Sequence, residues 1–243
     1  MVFVEGPLMQ RDVTELLAVF SRSLPEALPR RYGLWEPPQH QLAVEGINHF
    51  KRFMATNESI VWYTQAPVAS VHVFVPTERD LRRGFRSGTL SVSIDVDAVR
   101  QSGWHRMVQT LWKDLSTLAH PFYGEVFLSR GWERKRGRYW YRLSHSAADD
   151  SIPERGNLWG WWRGIPHRQS ALGVVLGPPY LDLWRGFAEQ SQRIGDLGFV
   201  STEDWTEMSD ALIRVGPPPA DISEQIRRPD GDADYPPVWP FAR

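Results

Sequence analysis

From Thr89 to Val96 the chain alternates residue by residue. Leu90, Val92, Ile94 and Val96 fall on one side, and Ser91, Ser93, Asp95 and Asp97 on the other. A period of two belongs to an extended strand, so this segment predicts a strand with one face on a core and one in water. Such a strand needs neighbours in a sheet and apolar cover for its inner face. Ser59 to Gln65 and Ala69 to Val75 are β-branched and aromatic runs split by Ala66-Pro67, and they read as a hairpin. The cover comes from helical periodicity. Trp104, Met107, Val108, Leu111, Trp112 and Leu115 make one stripe in a helix expected from about Gly103 to His120. Asp12 to Leu24 reads as a second amphipathic helix, with Asp12 as its cap, Leu16, Leu17, Val19, Phe20 and Leu24 on one face, and Pro25 and Pro29 beyond its end. The fold class expected is α+β: a single domain with a mostly antiparallel, mixed sheet flanked by helices.

The remaining elements are less regular. Arg31 to Gln39 reads as a turn rich in Pro, Gly and aromatics, with Pro37 and Pro38 opening another helix that runs to about Ala55. Leu42, Gly46, Ile47, Phe50, Phe53 and Met54 would face inward on it. Phe122 to Leu128 and Ala171 to Leu176 read as strands, the second wholly buried. A helix from about Pro179 to Gln192 would put Tyr180, Leu183, Trp184 and Phe187 on one face. A short helix around Thr202 to Ala211 and a last strand, Ala211 to Val215, complete the expected domain, residues 1–215. The Pro/Gly-rich remainder, residues 216–243, reads as a tail laid over the surface or partly disordered. The polar stretch Ser144 to Gly156 reads as a long loop inside the domain.

Composition removes several chemistries. The 243 residues contain no cysteine, which excludes disulfides, Cys-ligated zinc, iron–sulfur clusters and thiol catalysis, and suits a reducing cytosol. Lys+Arg is 28 against 29 Asp+Glu, a net charge of −1, so no global field draws the chain onto nucleic acid or an anionic membrane. No apolar run approaches the roughly 20 residues of a membrane span. Met1 to Leu8 lacks a basic start followed by an apolar stretch, so no export signal is read and a cytoplasmic protein is expected.

Catalytic motifs are equally scarce. No Gly-x-Gly-x-x-Gly, Gly-x4-Gly-Lys-Ser/Thr, Gly-x-Ser-x-Gly or His-Glu-x-x-His occurs. The seven histidines are scattered, and no two of them stand four apart on one helix, so metal-ligand spacing is not visible. Neither catalytic nor metal-ligating residues are assigned, and no cofactor is expected. One pattern argues the other way. Glu133-Arg134-Lys135 follows a strand, and a carboxylate–x–Lys with an earlier acid (Asp95, Asp97 or Asp114) is one way to hold a divalent ion and activate water in a nuclease. Arg130, Arg134, Lys135, Arg136 and Arg138 also interleave with Trp132, Tyr139, Trp140 and Tyr141. That composition can bind single-stranded nucleic acid, or simply form a wet face beside a packed one. Segment 130–141 therefore carries the alternative function, a nucleic-acid-binding or metal-dependent nuclease protein. A second basic group, Arg79, Arg82, Arg83 and Arg86, adds nothing more specific.

The 12 tryptophans divide in two. Trp62, Trp104, Trp112 and Trp184 occupy apolar periodic positions and belong to a core. Trp35, Trp159, Trp161, Trp162 and Trp239 lie in Gly/Pro-rich segments where periodicity gives them no role. Loop tryptophans either anchor partners or plug a core edge.

The order Tyr32-Gly-Leu-Trp-Glu-Pro-Pro-Gln39, the Val61-Trp62-Tyr63 strand, Gly160-Trp-Trp-Arg-Gly164 and the apolar strand after it resembles the immunity protein 52 family of bacterial polymorphic-toxin systems, over about residues 30–215. The resemblance implies a non-enzymatic α+β protein. It would stay in the producing cell's cytoplasm and neutralise a cognate toxin, typically a nuclease of the restriction-endonuclease type. It implies no catalytic residues. Partner-binding candidates come from chemistry and expected exposure: Trp35 and Glu36 in the Pro-rich loop, Asp95 and Asp97 on the strand face, and Trp161, Trp162 and Arg163. Inhibitors of nucleases are often strongly acidic; at −1 this chain would rely on a local acidic patch or on packing and steric block.

Overall fold

The computed structural model describes residues 2–5, 13–75, 87–101, 103–127, 133–135, 138–140, 171–178, 180–202 and 205. Their centre is one ten-stranded sheet. In chain order its strands are β1 (Val2–Glu5), β2 (Arg31–Gly33), β3 (His40–Gln41), β4 (Ser59–Tyr63), β5 (Val68–Phe74), β6 (Ser87–Ile94), β7 (Tyr123–Val126), β10 (Gly173–Leu176), β11 (Gln192–Ile194) and β12 (Leu197–Ser201). A separate two-stranded ribbon pairs β8 (Glu133–Lys135) with β9 (Arg138–Trp140). Across the large sheet the order is β11-β12-β10-β7-β1-β6-β5-β4-β2-β3, and every ladder in it is antiparallel.

The expected hairpin is β4–β5, in register from Ser59↔Phe74 to Tyr63↔Ser70, and β6 pairs alongside it. The strand at the centre of the sheet, β1, lies between β6 and β7. The helices fix which face is which. Helix α1 (Val13–Ser23) falls within the expected Asp12–Leu24 span, whose cap Asp12 lies outside the described residues, and helix α5 (Trp104–Ala119) matches Gly103–His120. Gly103, at φ +93°, starts α5, and His120, in the left-handed conformation, ends it, its N–H donating to Ser116 O at 2.9 Å. Leu16 and Phe20 from α1 and Leu111 and Leu115 from α5 pack with Val2, Val4, Ile60, Trp62, Val71, Val73 and Leu90 of the strands. From an adjoining stripe of the same helix, Val108 and Trp112 pack with Val175, Leu197, Phe199 and Trp205. α5 thus covers one face of the sheet from β1 out to β12.

The opposite face carries the alternate residues. Phe3, Tyr123, Val174 and Leu176 meet Tyr180, Leu181, Trp184 and Phe187. The single helix expected over Pro179–Gln192 is instead two, α6 (Tyr180–Leu183) and α7 (Arg185–Gln190). Trp184 lies outside helical geometry at φ −103°, ψ 74° between them, and its buried ring packs on Phe187. The chain then returns as strand β11, so Gln192 begins a strand.

Two further expectations change. The helix expected to open at Pro37 begins only at Leu42, because His40–Gln41 pairs with β2 as a strand. It then divides into α2 (Leu42–Glu45) and α3 (Ile47–Thr56) at Gly46, whose φ of +78° lies outside helical geometry. Phe50 and Met54 are buried as expected, but Ile47, one residue past the break, is exposed. The strand expected to reach Val96 stops at Ile94. Asp95 turns the chain, its carboxylate accepting from Asp97 N at 2.8 Å, and a short helix α4 (Val96–Val99) follows. The polar row on β6 therefore ends at Ser93. Asp95 and Asp97 belong to a helix start, where carboxylates favour the helix dipole. Among the described residues, no helix is long and apolar enough to cross a membrane.

Candidate functional site

The sheet ends at β3, an edge strand, and the most unusual surface among the described residues surrounds it. β2 and β3 pair through Arg31↔Gln41 and Tyr32↔His40. The loop between them is held from inside mainly by the Gln39 side chain. Gln39 Nε2 donates to Trp35 O at 3.1 Å and to Pro37 O at 2.6 Å, while its Oε1 accepts from Leu34 N at 3.2 Å. Arg31 Nη2 donates to Pro38 O at 3.1 Å. Gly33 makes room for this staple, since a Cβ there would overlap the Gln39 carboxamide and lie 2.9 Å from the Gln39 backbone nitrogen. The loop is thereby fixed while Trp35 remains 61% exposed.

Apolar exposure is concentrated here. Among the described residues the exposed large hydrophobics are Leu34, Trp35, Val44 (77%) and Ile47, all between residues 34 and 47. Leu34 and Trp35 come from the stapled loop; Val44 and Ile47 flank the Gly46 break. Glu36 is exposed in the same loop.

Beside this patch lies a polar cluster that histidine spacing alone does not reveal. His40 on β3, Glu45 at the end of α2 and His49 on α3 each place a potential ligand atom within 4.8 Å of the others. His40 Nδ1 is 3.5 Å from Glu45 Oε1. The Tyr32 hydroxyl is 2.6 Å from His49 Nδ1, and its ring stacks on His40 with centroids 5.3 Å apart. Phe50 and Phe53 meet Tyr32 edge-on from α3. Burial, followed by the nearby Glu45 carboxylate, pushes the Tyr32 phenol above its ordinary pKa. The two histidines stand nine positions apart in sequence. They meet because β3 sets His40 opposite Tyr32 and the Gly46 break turns α3 back over the same ring. The available sequence signal was Glu45 and His49, four apart, a spacing that a search for histidine pairs passes over.

The other sequence candidates are dispersed. Asp95 and Asp97 sit at the start of α4, and Asp97 is 3.7 Å from Arg100. Asp114 accepts from Ser23 Oγ at 2.5 Å and pairs with Arg22 at 3.2 Å, so it ties α5 to α1. Glu133 and Lys135 lie on β8, opposite Trp140 and Arg138, with backbone positions alone described. Trp161, Trp162, Arg163, the group Arg79–Arg86, the loop 144–156, the strand expected over 211–215 and the tail 216–243 lie outside the described residues, as does most of the helix expected over 202–211.

These observations define an α+β protein with a ten-stranded antiparallel sheet and a rigid, partly apolar edge. No protein-family model matches the chain, immunity protein 52 included, and no curated protein matches it. Among solved structures, a Pseudomonas aeruginosa T6SS protein, PA0821, is similar in fold, with a TM-score of 0.50 at 14% sequence identity. The likeness covers 83% of this chain and 63% of that one, so this chain spans less than two thirds of the other's length.

Proposed function

We propose that this chain is an immunity protein of a type VI secretion system, binding and neutralising a cognate toxin through the sheet edge at β2, β3 and α2. The observation that carries the proposal is that the exposed large hydrophobics among the described residues, Leu34, Trp35, Val44 and Ile47, all come from the segments around the β3 edge, with Trp35 exposed on a stapled loop. A loop whose backbone is fixed before binding loses less freedom on contact, which is one way an interface anchor gains affinity. A standard interface of about 1,600 Å² would extend well beyond this patch, and exposed Glu36 can take part in it. The fold likeness to a T6SS protein supports the setting, and the sequence resemblance supplies the toxin class, a nuclease of the restriction-endonuclease type. At a net charge of −1, inhibition would rest on a local acidic patch or on packing and steric block, and the apolar exposure at this edge favours the second.

Co-expression tests this. The neighbouring gene's product is expressed in a susceptible cell with and without this chain, and the complex is captured by a tag on this chain. Rescue with a one-to-one complex, weakened roughly tenfold or more by Trp35→Ala, is expected. A toxic neighbour that this chain neither rescues nor binds overturns the proposal, and so does a neighbour that is neither toxic nor bound. In that event, metal-dependent nuclease assays of the purified chain, with Glu133→Ala as control, test the alternative.

A further inference from the structure

We propose that His40, Glu45 and His49 bind a divalent transition-metal ion, with zinc the best fit, and that the ion locks the β3–α2–α3 corner. This inference is independent of the partner reading. Two imidazoles and one carboxylate make a nitrogen-and-oxygen donor set of intermediate softness. Such a set suits zinc, nickel, cobalt or copper, whereas magnesium and calcium favour all-oxygen sites. Tetrahedral zinc with bonds of about 2.0–2.1 Å places its ligand atoms about 3.3–3.4 Å apart. His40 Nδ1 and Glu45 Oε1 already stand at 3.5 Å, and all three ligand atoms lie within 4.8 Å. Closing the set to tetrahedral spacing therefore shortens its widest separation by no more than about 1.5 Å.

The surroundings suit a metal as well. Ligating histidines are held in orientation by outer hydrogen bonds, and their loss costs 10–100-fold in affinity. The Tyr32 hydroxyl, 2.6 Å from His49 Nδ1, makes such a contact and leaves Nε2 as the His49 nitrogen that would ligate, while stacking on Tyr32 restrains the His40 ring. Tyr32 is itself fully buried and boxed by Phe50 and Phe53, so the orienting group is rigid. The three donors come from three elements, one on each side of the Gly46 break and one on the edge strand. An ion here would cross-link them at the point where the helix is interrupted. Three protein ligands leave a fourth position for water or an incoming group.

The test uses the full chain, freed of any histidine tag and stripped by chelator. Zinc binding is measured by calorimetry, and cobalt binding by the visible absorption that distinguishes four-coordinate from hydrated ion. One zinc per chain is expected, with Kd about 1 μM or tighter, a four-coordinate cobalt spectrum, and a rise of several degrees in Tm with zinc in excess. His40→Ala and His49→Ala should each weaken binding at least tenfold. Glu45→Gln, a change at an exposed position, should weaken it without touching the fold. His120→Asn, at a histidine near Asp196 elsewhere on the surface, should leave it unchanged. Circular dichroism of every variant establishes that the fold is retained. Absence of binding at about 100 μM zinc, or binding that survives the folded Glu45→Gln and His40→Ala variants undiminished, overturns the site.

Discussion

The Gln39 side chain holds the backbone of Trp35: its amide nitrogen donates to the Trp35 carbonyl at 3.1 Å, four residues back along the chain. The same carboxamide also bonds Pro37 and Leu34, so one side chain makes three of the loop's hydrogen bonds. Gln39→Ala removes all three hydrogen bonds while leaving Trp35 in place. Because the loop is exposed and water replaces the lost partners, the expected cost to global stability is about 1 kcal/mol. The local effect is larger. Amide exchange at residues 34–39, followed by mass spectrometry, should accelerate at least tenfold, while α1 and α5 keep wild-type protection. Unchanged exchange in the loop would show that the staple is not what fixes it.

Trp62 tests the core behind this edge. It is fully buried, its Nε1 donates to Ala27 O at 3.0 Å, and Phe20 and Phe50 meet its ring edge-on at 88° and 89°. Trp62→Phe keeps most of the apolar volume but strands a buried carbonyl. The expected loss is about 1–3 kcal/mol, which for a chain of this size lowers Tm by roughly 3–10 °C. Trp62→Ala adds a cavity and should cost about 3–5 kcal/mol. Denaturant midpoints of the two variants measure both figures. A Phe variant as stable as wild type would remove the hydrogen bond from the account.

The contrast between Trp62 and the His40 cluster shows where sequence reading succeeds. Trp62 sits in a β-branched run whose character alone places it in a strand, and α5 declares itself through its apolar stripe. Elements whose signal is periodic were legible. β1 was not, because Val2, Phe3 and Val4 are all buried, and a strand covered on both faces shows no alternation. The β11–β12 hairpin lies past the expected helix end at Gln192, in a stretch where the sequence reading places no element. Ile194 pairs with Leu197 around Gly195-Asp196, with Gly195 at φ +61°, and that Gly-Asp pair was the hairpin signal available. Asp95 was misplaced for a related reason. Alternation continues past Ile94 in sequence, but an aspartate that can cap a helix competes with strand extension, and capping won. The His40–Glu45–His49 cluster depends on a strand pairing and a helix break together, and no single periodicity encodes such a meeting.

Gly173 is a strand glycine with a packing reason. A Cβ there would lie 2.7 Å from the Trp112 ring, which packs edge-on against Phe199 and lies 5.9 Å from Trp205 between ring centroids. The ring is part of a buried cluster and cannot swing aside as an exposed side chain would. Gly173→Ala should therefore destabilise by about 1–3 kcal/mol despite the better strand propensity of alanine. A paired Gly173→Ala, Trp112→Phe variant should recover part of that loss, because the smaller ring makes room. Urea unfolding of the two single variants and the pair measures this coupling, and strict additivity would refute the steric account.

Tyr180 gives the chain an alkaline limit. It is buried beneath the sheet against Phe122, and burial raises its phenol well above the ordinary value of 10.0. The raised group stays protonated in the folded chain at a pH where the unfolded chain has released that proton. Stability from this residue is therefore complete below about pH 10 and falls as pH climbs from there toward the folded-state value. The slope approaches 1.4 kcal/mol per pH unit for one such group. Tyr180→Phe has no proton to lose, so the difference in stability between the two proteins should be flat from pH 7 to 9. Between about pH 10 and 11 the wild type should lose roughly 1 kcal/mol more than the variant. Urea midpoints at each pH supply the comparison, and taking the difference cancels the tyrosines common to both. Parallel curves through pH 11 would mean that the phenol ionises in place, as it would if water reached it beneath α6.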